Sequence, residues 1–251
     1  MKIAWGTILT LFAFILTGPD VYCETLTPKE ILVHADAARG NYEGIKWKLH
    51  ISSVEGGRQQ NRRLDVKGRG NDFFAMLTAP PKLRGQILLD VDHNMWFAKP
   101  GLSKPVPVSP RQKLVGGASY GDIAATNYSE DYEAALMRYE MVNGEWCYVF
   151  DLKAVTKKVT YDRIKYWVSK GRLVGVKAEF FTVSGKKFKS AVFEYEHETM
   201  ILKKRRPFIS KMVIKDLFLE GNVTTMTFSE PLLGNIPDSA FSLHLLMLRT
   251  I

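Results

Sequence analysis

The chain has 251 residues, a formal net charge of +9 and two cysteines. A basic surface favours an anionic membrane or an acidic partner. Nucleic acid is the other usual partner of a basic chain, but the sequence contains none of the motifs of nucleic-acid-binding folds, so we exclude it. The length after removal of a leader suits one domain that buries about 70% of its surface without needing a disulfide.

The first residues have the layout of a secretory signal peptide. A positively charged start precedes an apolar run from Ile3 to Thr17, which Gly18-Pro19 interrupts. The run is shorter than the roughly 20 apolar residues of a membrane-spanning helix, and proline breaks a helix. We predict that residues 1–23 are a cleavable signal peptide and that residues 24–251 form one exported domain. Anchoring by this segment is the alternative interpretation.

The two cysteines lead to different predictions. Cys23 stands at the predicted cleavage point, where a lipoprotein signal would carry its acylated cysteine. The preceding Asp20 and Tyr22 do not match such a signal, so acylation ranks behind simple cleavage. Cys147 is then the one cysteine of the mature chain, and its position in a strand-like run predicts a buried small apolar side chain rather than a nucleophile.

An amphipathic helix is predicted from Thr27 to Arg39. Thr27 suits the N-cap, Pro28 the first helical position and Glu30 the capping box, and Gly40 suits the stop. The apolar residues that recur at helical spacing are Ile31, Leu32, Ala35 and Ala38. The helix therefore has one face to bury.

From Lys46 onward the apolar residues alternate with polar ones, which is typical of strands with one buried face. Short turns such as Asn143-Gly144 and Ser184-Gly185 separate the strand-like runs. The predicted strands are Lys46 to Ile51, Arg63 to Lys67, Phe73 to Thr78, Gln86 to Val91, Met95 to Ala98, Met137 to Met141, Trp146 to Leu152, Arg163 to Val168, Leu173 to Thr182, Lys187 to Tyr195, Phe208 to Leu217 and Val223 to Phe228. About ten strands seldom lie flat, so we expect a mainly β protein with one curled antiparallel sheet.

The stretch from Lys99 to Tyr132 breaks this pattern. Its many prolines and its glycines predict a long irregular insertion with short helical pieces at Pro110 to Val115 and Ser129 to Glu133. Loops of this length inside a compact domain are usually functional or mobile.

The sequence carries no motif of a known enzyme class. It contains no P-loop, dinucleotide fingerprint, paired-cysteine zinc spacing, HExxH or GxSxG motif. The histidines are scattered, and acidic pairs such as Glu194 with Glu196 are typical of solvent-facing strand positions. We therefore expect no catalytic residues, no metal and no cofactor, and we interpret the chain as a binding protein.

An ordered set of motifs resembles one family of envelope proteins. The motifs are Pro80 to Leu89, Met95 to Pro100, Gly117 to Ile123, Asp131-Tyr132, Tyr161 to Val168, Lys177 to Phe181 with Gly185, Pro207 ahead of Met212, and Phe241-Ser242. Together they resemble the outer-membrane lipoprotein-sorting protein family, relatives of the LolA and LolB carriers. The likeness spans nearly all of the predicted mature chain.

The resemblance implies an incomplete antiparallel β-barrel whose open side is covered by a lid of short α-helices. It implies a monomeric periplasmic carrier that binds acyl chains of lipoproteins or lipids and moves them towards the outer membrane. Transient contacts with an inner-membrane transporter and with an anionic membrane surface are further expectations. The alternative is a membrane-tethered lipoprotein that acts as an acceptor or as an accessory to an export pump.

Large apolar side chains at alternating strand positions are the candidates for lining such a groove. They are Trp47, Leu49, Phe74, Met76, Trp96, Tyr148, Phe150, Val176, Phe180, Met212 and Ile214. The alternative for each is that it packs a closed core.

Four adjacent cations, Lys203, Lys204, Arg205 and Arg206, end at Pro207 between two strand-like runs. This arrangement predicts an exposed hairpin turn. The run is either a solvated loop or a docking point for anionic lipid headgroups.

Overall fold

The computed structural model describes residues 26–124, 126–201 and 204–249. The predicted signal peptide, its cleavage point at Cys23, and Lys203 lie outside these ranges. The first element is helix α1, Pro28–Ala37. Thr27 caps it as predicted: its hydroxyl accepts from the Glu30 amide, and the Glu30 carboxylate accepts from the Thr27 amide at 2.7 Å. The chain leaves the helix at Gly40, whose φ of 103° suits glycine.

Most of the remaining chain is strand. The strands are β1 Ile45–Glu55, β2 Arg58–Arg69, β3 Asp72–Ala79, β4 Ile87–Val91, β5 Asn94–Ala98, β6 Val106–Val108, β7 Lys113–Val115, β8 Ala118–Ser119, β9 Tyr132–Val142, β10 Glu145–Ala154, β11 Arg163–Ser169, β12 Gly175–Phe181, β13 Lys187–Glu194, β14 His197–Ile201, β15 Lys204–Phe208, β16 Lys211–Asp216 and β17 Val223–Leu233. Two further helices are α2, Tyr128–Asp131, and α3, Leu243–Arg249.

Thirteen strands form one antiparallel sheet in the order β6-β5-β4-β3-β2-β1-β17-β16-β13-β12-β11-β10-β9. Most neighbours are consecutive hairpins, and the β1 to β17 pair joins the two ends of the chain. Because β6 and β9 stand at opposite ends of this order, the described sheet is an incomplete barrel, as the family resemblance implies. Within the described ranges, no helix combines the length and apolar character that crossing a bilayer would require.

The two faces of the sheet differ in what covers them. We call the face that carries the largest apolar cluster the inner face. In β1 the inward side chains of Ile45, Trp47, Leu49 and Ile51 are at most 3% exposed, and the alternating Lys46, Lys48 and His50 point to solvent. This alternation confirms the predicted period of two.

Three segments cover the inner face: α1, the insertion between β6 and β9, and the separate β14–β15 hairpin. Leu32 of α1, Tyr128 of the insertion and Phe208 of the hairpin all belong to the main apolar cluster. The Trp47 and Phe208 rings meet edge to face with centroids 6.2 Å apart. The cover is therefore made of separate short pieces, two of which, the β14–β15 and β7–β8 pairs, are two-stranded sheets of their own.

The insertion differs in part from the prediction. Pro110 to Val115 is not helical, because Lys113–Val115 is a strand that pairs with β8 across Gly116-Gly117. Gly116 has a φ of 55°, and a Cβ there would lie 1.8 Å from the Ser53 hydroxyl, so the turn requires glycine. The second predicted helical piece does contain a helix, α2, at slightly earlier residues.

The outer face of β3, β4 and β5 is covered by the C-terminal segment, which the sequence analysis did not predict. Ile236, Phe241 and Leu246 pack there against Phe74 and Leu89 in a second apolar cluster. Arg69 fixes this segment, because its guanidinium donates to the Ile236 carbonyl oxygen at 3.2 Å and to the Asp238 carboxylate at 2.6 Å.

Candidate functional site

The inner face brings most of the predicted groove residues into one cluster. These are Trp47, Leu49, Tyr148, Phe150, Phe180, Met212 and Ile214. Tyr148 is half-buried and stacks on Phe150 with ring centroids 6.0 Å apart; the others are at most 3% exposed. They come from β1, β10, β12 and β16, so the barrel curvature, not closeness in sequence, assembles them.

The other predicted groove residues lie elsewhere. Phe74, Met76 and Trp96 belong to the outer-face cluster with the C-terminal segment. The parity of β3 is ambiguous in the sequence because Phe73 and Phe74 are both apolar, and the structure turns Phe73 inward. Val176 packs in a third cluster with Cys147 and Trp167. These four residues therefore do not share a surface with the inner-face set.

A buried arginine stands among the inner-face residues, and the sequence analysis did not single it out. Arg39 follows α1 and is 7% exposed. Its guanidinium carbon lies 4.6 Å from the Phe193 ring centroid and 5.5 Å from that of Tyr128. One terminal nitrogen approaches Met212 Sδ at 4.0 Å. Among the described residues, the other nitrogen, Nη1, has no hydrogen-bond partner, and no carboxylate lies within 4.0 Å of the guanidinium.

Tyrosine side chains surround this cation. Tyr166 packs edge to face on Tyr128 at 5.2 Å and on Phe193 at 6.2 Å, and Tyr195 lies within electrostatic range of Arg39. The hydroxyls of Tyr166 and Tyr195 are buried and have no hydrogen-bond partner among the described residues. The rings of Tyr128 and Phe193 offer their faces to the cation, and each tyrosine hydroxyl can donate or accept a hydrogen bond.

Asp36 is the acidic group of α1 that faces the same interior. Its Oδ2 accepts from the Ser129 amide at 2.8 Å, which ties α1 to α2. Burial raises the pKa of Asp36 to about 7, against the lowering effects of the hydrogen bond from Ser129 and the charge of Arg39. Asp36 is therefore a weak counter-charge for Arg39 near neutral pH.

A small polar cavity borders this group. Its volume is about 70 Å³, and its lining includes Arg39, Tyr128 and Tyr161. Since a water molecule needs only about 10–15 Å³ of space open to its centre, the cavity has room for several water molecules. An amphiphile could reach Arg39 only if α1 or the insertion moved outward.

The basic run lies mainly in a strand rather than in a hairpin turn. Lys204 to Arg206 belong to β15 and pair with β14, with Lys204 opposite Ile201. Arg205 donates to the Glu198 carboxylate at 3.3 Å. Arg206 is exposed and, with Arg172 and His34, lines a cleft of about 210 Å³ beside α1.

Over the described ranges, no group of three or more His, Cys, Asp or Glu side chains could hold a metal ion. The charged groups near the site include Arg39 and Asp36, and Asp90, Asp122 and Asp131 line the adjoining cavity.

Comparisons with known proteins give a consistent family. A family model described as "Uncharacterized protein" matches residues 70–247. Among curated proteins, no match is found. Among solved structures, an outer membrane lipoprotein-sorting protein domain from Vibrio parahaemolyticus has a TM-score of 0.75 and 16% identity, covering 87% of this chain and 97% of that chain. A DUF1329 family protein from Desulfovibrio piger has a TM-score of 0.72 and 18% identity, covering 85% and 95%.

A third solved structure has the same fold and a higher sequence identity than the other two. A LolA superfamily protein from Nitrosomonas europaea has a TM-score of 0.78 and 30% identity, covering 87% of this chain and 98% of that chain. On its sequence and on its incomplete barrel, the chain belongs to the LolA superfamily.

Proposed function

We propose that the protein is a periplasmic carrier that holds acyl chains of lipoproteins or lipids on its inner face and moves them towards the outer membrane. The observation that carries the proposal is the construction of the inner face. A continuous apolar surface is covered by short, separate segments, namely α1, the insertion and the β14–β15 hairpin. The lipoprotein-sorting name of the Vibrio relative supports the same class of cargo.

The energetics suit reversible binding. Burial of an acyl chain contributes about 0.8 kcal/mol per methylene group. In the closed structure the inner-face side chains already bury one another, so a chain that enters must displace part of the cover. The free energy of binding is then the difference between the gain from burying the acyl chain and the loss from exposing side chains of the cover. Because these two terms are of similar size, the affinity is low enough to allow release at the target membrane.

Site-specific photo-crosslinking tests which face carries the cargo. A benzophenone amino acid replaces Tyr148 on the inner face or, as the matched control, Trp96 on the outer face; both side chains are aromatic and half-buried. After expression in a bacterial periplasm and irradiation, mass spectrometry of the protein should find acyl-chain adducts at position 148 and none at position 96. Adducts at neither position, together with lipid-free protein by native mass spectrometry, would contradict the carrier function.

The membrane-tethered alternative depends on Cys23, which lies outside the described residues. Mass spectrometry of the native protein decides it: a diacylglyceryl group on Cys23 would make the protein a tethered acceptor or accessory, whereas a mature chain that starts at Glu24 supports the soluble carrier.

A further inference from the structure

The inner face of an acyl-chain carrier needs only apolar contacts, yet this one contains a buried guanidinium. A buried charge without a counter-charge costs several kcal/mol, and proteins usually pair it or let it bind a ligand. The ring faces of Phe193 and Tyr128 offset part of that cost for Arg39. They do not supply the negative oxygen atoms that match the planar donor geometry of a guanidinium.

The neighbours of Arg39 include tyrosine hydroxyls, which can donate as well as accept hydrogen bonds. The unpartnered hydroxyls of Tyr166 and Tyr195 are buried beside it. The Asp36 carboxylate accepts from the Ser129 amide through Oδ2, its Oδ1 has no hydrogen-bond partner among the described residues, and no ion pair joins it to the guanidinium. A cation with two free hydroxyl donors is the composition of a site for an anion.

The position of Arg39 links such an anion to an acyl chain. Met212, which contacts the guanidinium, belongs to the inner-face cluster together with Trp47 and Phe180. A molecule with a negative group at Arg39 would therefore lay an attached chain along the apolar strands.

We infer that the cargo is an anionic amphiphile whose carboxylate or phosphate binds Arg39, with hydrogen bonds from Tyr166 and Tyr195, while its acyl chain occupies the inner face. This inference rests on the proposed function, whose cargo class it narrows. The opposing interpretation is that water in the adjoining cavity of about 70 Å³ solvates the guanidinium permanently.

Competition binding with probes of equal chain length tests the inference. The chain from Glu24 onward is loaded at pH 7.5 with the uncharged dye N-phenyl-1-naphthylamine. It is then titrated with tetradecanoate, tetradecyl phosphate, tetradecanol or tetradecyltrimethylammonium, each below its micelle concentration. We expect both anions to displace the dye at concentrations at least tenfold lower than the alcohol, and the cation to be the weakest. The two anions separate a carboxylate from a phosphate as the preferred group.

Variants of Arg39 and Tyr166 test whether these residues cause the preference for anionic probes. Arg39→Met should abolish the preference while the affinity for tetradecanol stays within about twofold, because a neutral side chain of similar shape is usually tolerated at a buried charge site. Arg39→Lys should keep part of the preference, and Tyr166→Phe should weaken both anions several-fold without affecting the alcohol. Arg58→Met removes one exposed cation from β2 and should change nothing. Circular dichroism checks that each variant is folded.

The outcomes separate the two proposals. Displacement of the dye by all four probes at equal concentrations, in folded wild-type protein, would overturn the anionic cargo and leave the carrier function standing. Survival of the preference for anions in Arg39→Met would also overturn the anionic cargo and leave the carrier function standing. Failure of all four probes to bind would contradict both.

Discussion

The Nζ atom of Lys189 lies 2.7 Å from Asp122 Oδ2, and both side chains are at most 5% exposed. Lys189 belongs to β13, whereas Asp122 lies in a 3₁₀ turn of the insertion. The Tyr161 hydroxyl donates to the other Asp122 oxygen at 2.7 Å, and Lys189 also donates to the Gly117 carbonyl oxygen at 2.8 Å. One buried polar network therefore fixes the insertion on the inner face.

We expect Lys189→Met to lower the free energy of unfolding by about 3–5 kcal/mol, because it leaves Asp122 as a buried charge without its partner. The double variant with Asp122→Asn should recover part of this loss, since the remaining groups are uncharged. Urea denaturation followed by circular dichroism measures both. The matched control is Lys187→Met on the same strand, whose exposed ion pair with Glu179 should contribute less than about 1 kcal/mol. Equal effects of the two lysine substitutions would contradict a stabilising role for the buried network.

A second prediction concerns pH and Asp36. Burial raises the pKa of Asp36 in the folded protein to about 7, from an ordinary value of 3.8. Between these values the folded state binds more protons than the unfolded state, so the free energy of unfolding decreases as pH rises from about 4 to about 7. Burial raises the pKa of Asp90 to about 6, which acts in the same direction.

Asp36→Asn removes the contribution of Asp36 while the side-chain oxygen can still accept from the Ser129 amide. Relative to the wild type, the variant should therefore gain stability steadily from pH 4 to pH 7 and then level off. Urea midpoints at several pH values measure the difference. A difference that stays constant from pH 4 to pH 8 would show that Asp36 titrates normally in the folded protein.

A third prediction tests the basic strand as a membrane-docking surface, which we propose from its exposed cations. Each basic residue near an anionic membrane contributes about 1 kcal/mol, so Arg205→Ser with Arg206→Ser should lower binding to anionic vesicles roughly thirtyfold at low salt. Co-sedimentation with vesicles of 70% phosphatidylcholine and 30% phosphatidylglycerol measures it. Arg58→Ser with Arg63→Ser removes the same charge from exposed positions of β2 and should reduce binding much less. Equal reductions by the two pairs would mean that net charge alone attracts the protein, without a docking surface.

The sequence was sufficient for the fold where one physical signal dominated. The capping box at Thr27 and the strict alternation of β1 predicted α1 and the inner face of that strand. Alternation could not show which side chains point inward where both faces of a strand are buried. In β3, for example, the neighbours Phe73 and Phe74 are equally apolar. The burial of Arg39 could not be predicted from its position in the sequence, because it depends on side chains from β13, β16 and the insertion, which are distant in sequence. A long charged side chain next to a helix stop is ordinarily solvated, and one sequence gives no sign of distant elements that enclose it.

Cys147 gives this protein an internal reporter of local opening. The side chain is fully buried in β10, and burial raises the pKa of its thiol to about 11. A thiol reagent needs both access and the thiolate form, so at neutral pH the folded chain should react orders of magnitude more slowly than the unfolded chain. In a chain that begins at Glu24 no other cysteine competes. The labelling rate then measures how often β10 separates from its neighbours, and its change on addition of an amphiphile would tell whether cargo loosens or tightens this end of the barrel.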